Sequence, residues 1–137
     1  MSKRPLVYDS ILEALFSAFP ELSPRIESTF GSYYNLAKET PEAYPIFEDV
    51  VQKIVFELLV NGQNEALLTR LFNFFEDMAN CPDPNVHKDL VGISIIEPLV
   101  AHPESTRQAW KYMGHRTKEL TRSEAREQGR EQNLPPA

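Results

Sequence analysis

Residues 64–101 read NEALLTRLFNFFEDMANCPDPNVHKDLVGISIIEPLVA. Leu67, Leu68, Leu71, Phe72, Phe75 and Met78 recur at steps of three and four, which places them on one face of a helix over about 64–80. Cys81-Pro82-Asp83-Pro84 then turns the chain. An aspartate suited to accept from free backbone N–H groups precedes a proline, whose missing N–H costs nothing at a first helical position. Val86, Leu90, Val91, Ile93 and Ile96 continue the apolar pattern on a second helix. Pro98 falls inside that pattern and withdraws a hydrogen bond from the carbonyl of Ser94, so a kink or an early end is expected there. Two amphipathic helices hinged at a proline corner set the class as all-α.

Upstream, Tyr8, Ile11, Leu12, Leu15, Phe16 and Phe19 give a first helix over 6–19, stopped by Pro20. Ser23-Pro24 repeats the cap-and-proline device and opens a second helix to about residue 39, lined by Leu22, Ile26, Phe30, Tyr33 and Ala37. After Thr40-Pro41 and Pro45, the residues Ile46, Phe47, Val50, Val51, Ile54, Val55, Leu58 and Leu59 form a wide apolar stripe. Its β-branched content would suit a strand, but the helical period over 46–59 decides for a central helix covered on two sides. Asn61-Gly62 closes it, glycine fitting the left-handed position after a helix. Downstream, a final helix starts near Pro103-Glu104 and carries Trp110, Met113 and Leu120, with Trp110 a core candidate. Beyond Thr121 the chain turns polar and ends NLPPA. The expectation is a compact bundle of about six helices in antiparallel hairpins, one domain over 1–122, and a flexible polar tail over 123–137.

Composition agrees with one globular domain: 137 residues, 42% hydrophobic and 25% charged. No apolar run approaches the roughly 18 residues of a membrane span, and the opening MSKRPLVYDS lacks an apolar signal core, so a cytoplasmic address and no membrane contact are expected. Charge is uneven. Residues 39–104 hold twelve acidic against three basic side chains, a net of −9, whereas residues 105–137 hold seven basic against four acidic, a net of +3. Such an acidic body repels nucleic acid, whose binding depends on neutralising phosphates, and suits a basic protein partner.

The segment Asp83-Pro84-Asn85-Val86-His87-Lys88 resembles the Asp-Pro-x-Val-Arg start of a HEAT-repeat helix, with His87-Lys88 where the basic residue stands. The resemblance covers 40 to 50 residues around it, and the first 60 residues show no second copy, so an irregular HEAT-like bundle is implied rather than a regular solenoid. More broadly, Phe74-Phe75-Glu76-Asp77-Met78 and Ile95-Ile96-Glu97-Pro98-Leu99, within residues 64–120, are similar to small bacterial helical proteins associated with polymorphic toxins. That resemblance implies an immunity protein with a cognate toxin domain as partner and no cofactor.

No nucleophile elbow, phosphate-binding loop or dinucleotide fingerprint is present, and His87, His102 and His115 lack metal-ligand spacing, so neither an enzyme nor a metal site is expected. Glu76 and Glu97 both follow two apolar residues. Carboxylates so placed suit internal pairing with Arg70, Lys88 or Arg107, partner binding, or acid–base and metal chemistry; internal pairing is the default because an unpaired buried charge is costly. The candidate partner-binding residues are Glu48, Asp49, Glu76, Asp77, Asp83, Asp89 and Glu97, joined by Tyr112 and Arg116 on the last helix. The function expected is neutralisation of a basic toxin domain by occlusion; the alternative is a helical adaptor that binds a protein or peptide without neutralising it.

Overall fold

A computed structural model describes residues 6–32 and 41–136. The fold is all-α, with seven helices and no strand among these residues. A 3-10 turn, Tyr8–Ser10, leads into α1, Ile11–Ala18, and a second, Pro20–Leu22, leads into α2, Ser23–Phe30. Ser23, expected to cap α2, is itself helical and makes no capping bond, because the turn before it already winds the chain into register. The expected continuation of α2 through Tyr33, Tyr34 and Ala37 lies outside the described residues.

Helix α3 spans residues 43–61 as Ala43–Ile46, a π-helical turn Phe47–Val51, and Gln52–Asn61. Gly62 ends it in the left-handed conformation (φ 61°, ψ 30°), and the N–H of Gln63 reaches back to the carbonyl of Leu58 at 3.3 Å. Helix α4, Glu65–Ala79, is capped by the Asn64 side chain, which accepts from the N–H of Leu67. Leu68, Leu71, Phe72, Phe75 and Met78 are buried along it, as their spacing predicts.

Helix α5, residues 85–100, is the hub, packing against α3, α4, α6 and α7. Its first part, Asn85–Ile96, is π-helical, and the N–H of Glu97 donates to the carbonyl of Gly92, five residues back. Only Glu97–Val100 is α-helical. Wider winding changes which residues face inward. Val86, Leu90, Val91, Ile95, Ile96, Leu99 and Val100 are buried, at intervals of four to five residues. The expected α-helical stripe put Ile93 in the core; it lies outside, 49% exposed, and Glu97 is exposed as well. Nor does the helix stop at Pro98. The Ser94 carbonyl, deprived of that donor, accepts instead from Gln52 Nε2 at 2.9 Å.

The single final helix expected from Pro103 is two: α6, Pro103–Trp110, and α7, His115–Glu127, broken at Lys111-Tyr112-Met113-Gly114. Nor do residues 123–136 form a tail. Helix α7 runs on to Glu127 with Ala125 fully buried, and Gly129 (φ 66°) reverses the chain into a turn, Glu131–Asn133. Polar side chains here do structural work: Gln128 Nε2 donates to the Glu97 carbonyl (3.0 Å), Asn133 Nδ2 to Val100 (2.8 Å) and Arg130 to Ala101 (3.5 Å). They satisfy the orphan carbonyls at the end of α5.

Candidate partner-binding site

The π-helical turn of α3 packs against the π-helical part of α5. Beside this junction is an open depression of about 500 Å³. Helix α3 supplies Glu48, Asp49, Gln52 and Lys53; α5 supplies Ile93, Glu97 and Pro98, followed by Ala101; Gln128 closes the edge. Glu48 and Asp49 sit in the π turn whose Phe47, Val50 and Val51 are buried, so the turn anchors itself in the core and points its two acids outward. Ile93 and Glu97 reach the same depression because π winding rotates them off the core face. Among the described residues, none of these three carboxylates is in an ion pair, and Lys53 is the depression's one cation.

The other candidates lie elsewhere, most of them engaged inside the molecule. Glu76 reaches from α4 to the start of α7. Its Oε2 accepts from the N–H of Arg116 (2.9 Å), and its Oε1 accepts from the N–H and hydroxyl of Thr117 (2.8 and 2.7 Å). Gly114 precedes that helix with no side chain to cap it, and the Glu76 carboxylate takes the capping role across the fold. Burial pushes the Glu76 carboxyl up, but the Thr117 hydroxyl, the two N–H groups and the Asn80 amide outweigh it and hold the group below the ordinary carboxylate value. The internal-pairing default therefore describes Glu76, with N–H and O–H donors in place of the expected cation.

Asp83 accepts from the N–H of Asn85 (3.0 Å), capping α5, and from the N–H of Tyr8 (2.9 Å), tying down the start of the described chain. Asp89 accepts from the Tyr44 hydroxyl at 3.0 Å. Burial first, then that bond and the Asp89 charge, push the Tyr44 phenol up to about 12. Tyr112 stacks on Phe72 at 6.0 Å and donates to Glu65 at 3.2 Å. Arg116 lies 3.7 Å from Glu119 on its own helix, and Asp77 is exposed on α4. Of the acidic candidates, the structure thus brings Glu48, Asp49 and Glu97 to one place and disperses the others.

Sequence reading missed Ile93, Gln52, Lys53 and Gln128. A signal for Ile93 was present: the doublets Leu90-Val91, Ile95-Ile96 and Leu99-Val100 repeat every four to five residues, a period too long for an α-helix. Gln128 lay in the presumed tail. Among the described residues, no group of three or more His, Cys, Asp or Glu side chains could hold a metal ion, and no helix is long and apolar enough to cross a membrane.

These features define an all-helical domain wound around a largely π-helical hub, with an open acidic depression beside it. The chain belongs to the family described as Domain of unknown function (DUF7674), which matches residues 12–129. The match runs from the second residue of α1 through the whole of α7 and ends at the left-handed Gly129. No curated protein and no solved structure matches the chain.

Proposed function

We propose that the protein binds another protein through the depression between α3 and α5, and that it serves in the cytoplasm as an immunity protein. It would neutralise a cognate bacterial toxin by covering the toxin's active or substrate-binding surface. One observation carries this reading: Glu48, Asp49 and Glu97 line one depression together with a half-exposed Ile93, and among the described residues none of the three is in an ion pair. Carboxylates outside the ion pairs of the described residues are available to a basic surface; they speed its approach and penalise acidic competitors. Ile93 supplies apolar area from which water is excluded on contact. Occlusion of this kind needs no catalytic group on the binding protein.

The test is co-expression with the product of the adjacent upstream gene, scored for growth and for co-purification. Rescue with a stable complex is expected, lost in the folded triple variant Glu48→Lys/Asp49→Lys/Glu97→Lys. Rescue that survives the triple variant would move the contact to another face. A complex with a product that is not toxic would leave an adaptor that binds a protein segment in the same depression.

A further inference from the structure

Trp110 stands at the end of α6, half-buried, with two cations of α7 over its ring: Lys118 Nζ lies 5.4 Å and the Arg122 guanidinium carbon 5.1 Å from the ring centroid. Arg126 follows one turn later, exposed. Among the described residues none of these three is in an ion pair, whereas Arg25, Arg70, Lys111 and Arg116 each have a carboxylate within reach. The indole holds the heads of Lys118 and Arg122 in place, so less side-chain freedom remains to be lost when an anionic surface meets them.

This patch is the counterpart in charge of the α3–α5 depression. There, carboxylates outside the ion pairs of the described residues share a lining with a half-exposed isoleucine; here, cations outside those ion pairs lie over a half-buried tryptophan. Each has the make-up of an interface, an apolar centre with a charged rim. Among the described residues of one molecule the two sets make no ion pair with each other. We infer that the Trp110–Lys118–Arg122 patch docks into the acidic depression of a second copy of this chain. The inference shares the depression with the function proposed above but requires no toxin. A basic partner and a second copy then compete for one surface, so partner binding dissociates the self-associated form.

The experiment is sedimentation equilibrium of the full chain at submillimolar concentration and low salt. The weight-average mass should rise above the monomer's 15.7 kDa with concentration and fall back in high salt. Lys118→Glu/Arg122→Glu and Glu48→Lys/Glu97→Lys should each sediment as monomers, and an equimolar mixture of the two should recover dimer mass. That recovery separates paired surfaces from misfolding, since each variant retains the patch that the other lacks. Should Lys118→Glu/Arg122→Glu fail to fold, Lys118→Gln/Arg122→Gln replaces it in the same mixture. A wild-type chain that stays monomeric at low salt, double variants that still associate, or a mixture of folded variants that stays monomeric would each overturn the inference. No toxin enters the measurement, so its failure is distinct from failure of the neutralisation assay.

Discussion

Replacing Glu76 by alanine removes the acceptor for two backbone N–H groups of α7 and for the Thr117 hydroxyl. Loss of a helix cap of this kind costs about 1–2 kcal/mol, to be read from urea unfolding. The pH dependence has a definite sign. Because the folded state holds this carboxyl below its ordinary value, its contribution is present above the unfolded carboxylate range and is lost as pH falls through the lower folded value. The stability gap between wild type and Glu76→Gln should therefore narrow on acidification. Gly114 belongs to the same arrangement. Its backbone is extended (φ −79°, ψ 179°) and open to any residue, but an added Cβ would meet Glu76 Cγ and Oε1, each at 2.7 Å. Gly114→Ala must push the carboxylate off its donors. It should cost about as much as Glu76→Ala, and the double variant less than the two costs added.

At the scale of elements, the winding of α5 makes a prediction that an α-helix would reverse. Ile93 is 49% exposed, whereas Ile95 is 2% exposed. Ile93→Ala should alter stability by no more than about 0.5 kcal/mol, and Ile95→Ala should cost about 2–5 kcal/mol, both by chemical denaturation. The apolar spacing of α3 and α4 was legible in the sequence because those helices bury what an ordinary period, or a single π turn, would bury. The inward face of α5 does not follow from a period of 3.6, because its apolar doublets repeat at four to five. Ser94 and Pro98 marked the place where the ladder would be short of a donor, but the replacement donor, Gln52, stands 42 positions away. The division of α6 from α7 was hidden for a like reason: the cap of α7 comes from Glu76, whose partners are 40 and 41 positions distant. Local signals carry no record of such partners.

For the whole molecule, class was readable and placement was not. The count of acidic residues between 39 and 104 named the sign of the surface, yet it could not tell Asp83 and Asp89, held by internal donors, from Glu48 and Asp49, which are exposed. The polar run after Thr121 looked like a tail because its Gln128, Arg130 and Asn133 were read without the carbonyls that they cap. Asn133→Leu leaves the Val100 carbonyl without that donor and should destabilise the domain by about 1–3 kcal/mol, measured by thermal or urea unfolding. With a basic partner in hand, reversing charge at Glu48, Asp49 and Glu97 should slow association by about 10-fold or more at low salt and flatten its salt dependence, with little change in the unfolding midpoint.

The contact between Glu76 and Gly114 also has a consequence for inheritance. A larger residue at the second position is tolerated only where the first has already shortened, and a shortened first position leaves α7 uncapped until the residue before it becomes a serine, threonine or aspartate. Lineages within the family should therefore exchange the two positions together, from a distant glutamate with glycine to a local cap with a small partner, and chains caught between the two arrangements should be rare.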